Sequence, residues 1–221
     1  VTPSEIITDV RRIIQDVDTP YRYSDTELLG YVNQTLKRMS VLRPDLFGEI
    51  GEIETQADTA VQALPSDALR LIDIFQVKDG SAITEVDRET MSRIHPTWMS
   101  EASGTPTNFM RHVKNAERFF LYPRPTAGTI LIGEYARVPS EYGLTDTITS
   151  PSESYLPVIV DGTVFLAESI DDEHINTNRA KLFLDLFTSQ LSTSLQSRTV
   201  TDTKAAGLKA SRATQIVGEV I

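Results

Sequence analysis

The chain of 221 residues contains no cysteine, which excludes disulfides, cysteine-ligated zinc, iron–sulfur clusters and thiol nucleophiles. Hydrophobic residues at 40% and charged residues at 24% are ordinary globular values, and no apolar run approaches the roughly 20 residues of a membrane-spanning helix. Lys and Arg number 21 against 31 Asp and Glu, a net charge of −10 with no run of cations, so a nonspecific grip on nucleic acid is not expected.

The charge is unevenly spread. Residues 1–43 are neutral, 44–150 carry −7, 151–195 carry −5, and 196–221 reverse to +2. The opening Val1-Thr2-Pro3-Ser4-Glu5 lacks the positive region and apolar core of a signal peptide and reads as a mature start after Met removal, in a reducing cytoplasm.

Two helices are predicted first. Thr2, Pro3 and Glu5 form a capping box with Pro at the first helical position, ahead of a stripe of Ile6, Ile7, Val10, Ile13, Ile14 and Val17. Ser24 and Glu27 repeat the box before Leu28, Val32, Leu36, Met39 and Leu42, and Pro44 closes that helix.

From Asp45 to Ser150 the period shortens. Strands are expected over 50–55, 60–64, 69–77, 82–86, 109–113, 117–122 and 129–137, with turns at Asp79-Gly80 and Lys114-Asn115-Ala116 and a short helix capped by Asp87. Close-set short strands predict an antiparallel sandwich or barrel.

After Pro151 the helical period returns, in one helix near 157–169 and a longer one carrying Ile175, Leu182, Phe183, Leu186, Phe187, Leu191 and Leu195. Neither helix pair buries its stripe alone. The expectation is therefore an α+β chain: an antiparallel helical bundle from 1–45 and 151–195, an inserted β-rich domain at 46–150, and a C-terminal arm at 196–221. The arm has too few apolar residues for a core. It is either a free tail or an extension that binds a partner through Thr199, Val200 and Thr201, as an added strand, and Ile216, Val217, Val220 and Ile221, as a helical stripe.

Motifs for chemistry are sparse. His95, His112 and His174 are scattered, and phosphate-loop, dinucleotide and nucleophile-elbow patterns are missing, so no catalytic centre, metal or cofactor is expected. Asp171-Asp172-Glu173 has the carboxylate density for cation binding or acid–base work, and equally caps a following helix through its dipole. Trp98, the sole tryptophan, is a candidate interface anchor or a plug of the β core.

The order of these pieces resembles the head-to-tail adaptors of short-tailed bacteriophages, the tail tubular protein A-like family. The similarity rests on Arg22-Tyr23-Ser24-Asp25-Thr26-Glu27-Leu28-Leu29 with Asn33, on Arg43-Pro44-Asp45, and on Gly104-Thr105-Pro106. Also similar are Phe119 to Pro125, Gly133 to Pro139, and the helical pair with Ala167-Glu168, Asp171-Asp172 and Asn178-Arg179-Ala180. Tyr23 stands where the family would have Trp, and residues after Gln196 have no match.

The resemblance implies a structural virion protein assembled in the host cytoplasm: a ring of about twelve copies joining the portal protein to the tail nozzle, with tail fibres as a further neighbour, and DNA passing through unbound. Asp171, Asp172 and Glu173, or carboxylates of the β domain, would line an acidic channel, and the arm would hold the portal. Two rival classes stay open at this point: a virion-associated carboxylate hydrolase, and a β-sandwich module for glycan or receptor.

Overall fold

A computed structural model describes residues 1–169 and 178–192. The protein is α+β, with helices α1 (Pro3–Ile14), α2 (Asp25–Leu42), α3 (Arg88–Ile94), α4 (Leu156–Glu168) and α5 (residues 178–192). Its contacts form two compact units. One holds Val1–Thr35, Gly143–Thr147 and the described residues from Glu153 onward, and the other holds Leu36–Tyr142 and Ile148–Ser152.

In the helical unit both capping boxes form. The Thr2 N–H donates to Glu5 Oε2 at 2.8 Å, and the Ser24 N–H donates to Glu27 Oε2 at 2.8 Å, so orphan amides at each helix start are satisfied. Ile6, Ile7, Val10 and Ile14 are buried as the stripe requires. Val17 is exposed instead, because α1 ends at Gln15, whose left-handed φ of 59° turns the chain away before Val17 can join the stripe. Leu42 is also exposed: it is the last residue of α2, and the buried apolar residue that follows is Phe47, in the one-turn 3₁₀ helix Pro44–Phe47.

Helix α4 is buried on most sides and packs on α1. Its Gly162 allows a close approach, since a Cβ there would stand 2.5 Å from Thr35 Cγ2 and 2.9 Å from the Phe187 ring. On α5 the buried stripe is Ala180, Phe187 and Leu191, while Leu182 and Leu186 are exposed. The expected stripe over-counted here, because 182 and 186 lie on the far side of the helix from 180, 187 and 191.

The second unit contains seven strands: β1 (Gly48–Glu54), β2 (Val61–Ala63), β3 (Ala68–Val77), β4 (Thr84–Glu85), β5 (Asn108–Arg111), β6 (Arg118–Tyr122) and β7 (Ile130–Arg137). They make a three-stranded sheet in the order β1-β7-β3 and a four-stranded sheet in the order β2-β6-β5-β4. Every pair is antiparallel except the short β4–β5 pair, which is parallel. Period-2 alternation sends Leu131 and Tyr135 of β7 inward beside Ile53, Leu71 and Ile74, where they share one core with Phe109, Phe119 and Leu121 of the other sheet. The Asp79-Gly80 turn forms, with the Gly80 N–H donating to the Val77 carbonyl at 2.9 Å and Asp79 at φ 56°.

Candidate interaction surfaces

The tyrosine-containing motif at the start of α2 is fixed by a buried arginine. Arg11 of α1 donates to Asp16 Oδ2 at 2.6 Å, to the Tyr23 carbonyl at 2.8 Å and to Asp25 Oδ1 at 2.7 Å. Asp16 in turn accepts from the backbone N–H groups of Arg22 and Tyr23, and the Arg11 guanidinium lies 3.9 Å from the centre of the Tyr21 ring. The Tyr23 hydroxyl reaches α4, donating to the Ala167 carbonyl at 2.7 Å. One buried cation therefore ties together the α1–α2 connection, and Tyr23 ties that connection to α4. Such a fully partnered network makes a rigid body.

The β unit is clamped at the other motifs. Arg43 forms a bidentate pair with Asp45 at 2.8 and 2.7 Å, closing the Arg-Pro-Asp turn. Arg124 donates to the carbonyls of Glu101 and Asp58 at 2.7 and 3.1 Å, holding two loops to the end of β6. Arg137 pairs with Glu49 at 2.8 Å and lies 2.7 Å from Asp67 as an ion pair without an aligned hydrogen bond. Burial opposes its charge, but Tyr135, Asp67 and Glu49 outweigh that effect and raise its pKa.

The fold also assembles a cationic groove of about 370 Å³, lined by Arg70, Leu71, Arg111, His112, Val113, Lys114, Ala116 and Arg118. Arg111 is anchored, pairing with Glu85 at 2.7 Å and donating to the Leu71 carbonyl of β3 at 2.9 Å. Arg70, Lys114 and Arg118 are exposed and make no side-chain ion pair among the described residues. His112 Nδ1 accepts from the backbone N–H groups of Lys114 and Asn115 at 3.2 and 3.0 Å, which fixes the tautomer with its proton on Nε2. Its ring stacks on Phe120.

The absence of a cation run in the sequence is thus overridden by the fold. Arg70 comes from β3, some forty positions before the β5–β6 hairpin that supplies the other basic residues. The part legible in advance is the hairpin itself, Arg111-His112-Val113-Lys114-Asn115-Ala116-Glu117-Arg118, dense in basic groups for so acidic a chain.

Trp98 is 4% exposed and packs with Ala60, Met91 and Met110. It stands edge-on to Phe120, and its Nε1–H donates to Ser92 Oγ at 3.1 Å. Its indole is spent on packing inside this unit. His95 lies beside Tyr122 and Glu101, whose carboxylate accepts from the Tyr122 hydroxyl at 2.7 Å. That hydrogen bond and one from Thr97 hold the Glu101 pKa below the usual carboxylate range. Among the described residues no three His, Asp or Glu side chains converge as metal ligands, and no helix is long and apolar enough to cross a membrane. Asp171, Asp172, Glu173 and His174 lie outside the described residues, as do Thr199, Val200, Thr201, Ile216, Val217, Val220 and Ile221 of the arm.

A clamped helical unit joined in one chain to a β unit with a charged groove suits a structural adaptor of a bacteriophage particle, and family comparison places the chain in that class. The chain belongs to the SU10 adaptor protein family, whose model matches residues 1–211. The resemblance noted from motif order therefore holds for the adaptor class, while the family matched is not the tail tubular protein A-like family. No curated protein matches the chain.

Proposed function

We propose that the chain is a head-to-tail adaptor that forms a ring, of twelve copies on the earlier resemblance, between the portal protein and the tail nozzle. The observation that carries this reading is the family match across nearly the whole chain. The buried Arg11 network supports it, because a ring subunit needs a body that does not deform under lateral load.

In this reading residues 1–45 and 151–195 act as the helical bundle domain and residues 46–150 as the inserted β-rich domain. DNA passes through the ring during ejection without specific binding, and tail fibres are a further neighbour. Asp171, Asp172 and Glu173 contribute to an acidic channel wall that repels phosphates, in keeping with the net charge of −10. Residues 196–221, net +2, act as an arm to the portal, with Thr199, Val200 and Thr201 adding to a sheet edge and Ile216, Val217, Val220 and Ile221 filling a shallow groove.

Negative-stain imaging of the chain mixed with its portal protein tests this. Rings seated on one face of the portal are expected, and a chain that stays monomeric and does not bind the portal overturns the reading. Deleting residues 199–221 should leave a folded protein that no longer attaches stably to portal-bearing heads. Unchanged attachment would refute the arm.

A further inference from the structure

We infer that the cationic groove of the β unit is the docking site for the acidic edge strand β1 of a second copy of this chain. The inference rests on the ring reading above and names its lateral contact.

The two surfaces lie at opposite edges of one sheet. The order β1-β7-β3 leaves β1 paired on one side only, while Arg70 sits on β3 at the other edge. There the β5–β6 hairpin is held against β3, with the Leu71 N–H donating to the Ala116 carbonyl at 3.1 Å and Arg111 donating to the Leu71 carbonyl at 2.9 Å.

Strand β1 reads Gly48-Glu49-Ile50-Gly51-Glu52-Ile53-Glu54, with all three glutamates exposed. Glu49 is paired to Arg137 and Glu52 to Lys78, which leaves Glu54 without an ion-pair partner among the described residues. Each surface also offers an apolar residue: Ile50 is 64% exposed, and Val113, at the rim of the groove, is 87% exposed. A seven-residue edge strand with an open isoleucine is a pairing hazard, and its glutamates suppress pairing with another β1 by like-charge repulsion. The same glutamates favour a partner that presents Arg70, Lys114 and Arg118.

The local match selects this occupant over a nucleic acid: β1 brings unpaired backbone groups, the exposed Ile50 to set against Val113 and the unpartnered Glu54 to set against the groove's cations, whereas a duplex brings phosphate alone. Two copies repel each other overall, each at net −10, so the contact depends on this short-range complementarity. Because the two surfaces are different patches of one chain, the contact is head-to-tail and repeats from copy to copy until it closes.

The absence of native cysteine makes the test direct. Ile50→Cys and Val113→Cys are installed singly and together in the full chain, both at exposed positions that carry none of the charges invoked, and oxidised mildly. An equimolar mixture of the single variants should give mixed disulfide dimers about tenfold above the self-dimers of either alone, reflecting the charge-steered encounter. The double variant should give a ladder of dimer, trimer and higher species. Both should fade near 1 M NaCl, where the Debye length is about 3 Å. Gln56→Cys with Ala116→Cys, also exposed and uncharged, is the second pair.

Mixed dimers no more abundant than self-dimers, for both pairs, overturn the contact. Block of the cross-link by a stoichiometric short DNA duplex also overturns it, in favour of a phosphate site. A ring seen by native mass spectrometry that gives no cross-link refutes this contact alone. A chain that neither cross-links nor assembles on portal protein refutes the ring reading as well.

Discussion

Arg11 and Asp16 form an ion pair at 2.6 Å in which both side chains are buried, 8% and 7% exposed. Such a pair contributes little net stability relative to an apolar substitute, yet removing one partner strands the other charge away from water. Asp16→Ala should therefore destabilise the full chain by about 3 kcal/mol, the lower end of the usual range for a broken buried pair, because Asp25 and the Tyr23 carbonyl still hold Arg11. Urea denaturation followed by far-UV circular dichroism measures it. A loss below about 1 kcal/mol would mean that Arg11 relaxes to solvent and the network is not rigid.

Two helical glycines should respond oppositely to alanine. At Gly162 a Cβ would stand 2.5 Å from Thr35 Cγ2 and 2.9 Å from Phe187, so Gly162→Ala should cost about 1–3 kcal/mol by overpacking. Adding Thr35→Ser, which deletes Cγ2, should recover part of that loss. At Gly30 nothing lies within 4 Å of the added carbon, and Gly30→Ala should stabilise α2 by about 0.5–1 kcal/mol through helix propensity. Thermal midpoints of the three variants check all of this, and a stabilising Gly162→Ala would contradict the packing.

What was legible in the sequence is what depends on near neighbours. Thr2 with Glu5 and Ser24 with Glu27 announce their helix starts because a capping box closes within four residues. The strand at Tyr135 follows from alternation, but Ala68, Leu71 and Ile74 of β3 are buried at every third residue because bulges shift its register. Ile50 and Ile53 of β1 lie on opposite faces, so period 2 does not give the inner face of either strand. Val17 has the spacing of the stripe but lies outside it, because α1 ends at a left-handed Gln15 that no neighbouring residue requires. The cationic groove is only half legible, for a different reason: the basic hairpin of Arg111, Lys114 and Arg118 stands in the sequence, but Arg70 joins it only through the packing of that hairpin on β3, a long-range event. The helical period does separate Arg11 from its neighbour Arg12: Arg11 follows Ile7 by four residues and precedes Ile14 by three, at the edge of the buried stripe, whereas Arg12 lies on the opposite face.

Trp98 offers a local probe of the β unit. Its ring is buried with Met91 and Met110, so Trp98→Ala should cost about 3–5 kcal/mol through the cavity it leaves, whereas Trp98→Phe keeps most of the packing and should cost much less. Ser92→Ala, which removes the partner of the indole N–H, should cost about 1 kcal/mol. Because this is the only tryptophan, its fluorescence should be blue-shifted in the folded chain and red-shift as this unit unfolds. Equal losses for the Phe and Ala variants would contradict the packing account.

Asp161 carries a prediction about pH. It is half-buried on α4, where burial raises its pKa and the hydrogen bond from Gln190 Nε2, at 3.0 Å, only partly offsets the rise. A carboxyl whose pKa is higher in the folded than in the unfolded chain binds its proton more tightly when folded, so its charge opposes folding at neutral pH and that penalty is relieved as the pH falls through the folded value. Glu5, Glu27, Glu101 and Glu141 have the opposite sign, their pKa values being lowered by hydrogen bonds, and their contributions are lost on acidification. The overall pH profile mixes both effects, and a comparison of variants separates them. Asp161→Asn keeps an oxygen to accept from Gln190 but removes the charge, and should be more stable than the parent at pH 7. The difference should shrink to nothing near pH 3, about a unit below the usual aspartate pKa, where the parent is protonated too. Asp161→Ala, which also strands the Gln190 donor, should gain less than Asp161→Asn at pH 7. Urea midpoints at the two pH values decide the matter, and an Asp161→Asn variant less stable than the parent at pH 7 would show that the carboxylate is stabilised by its surroundings rather than penalised.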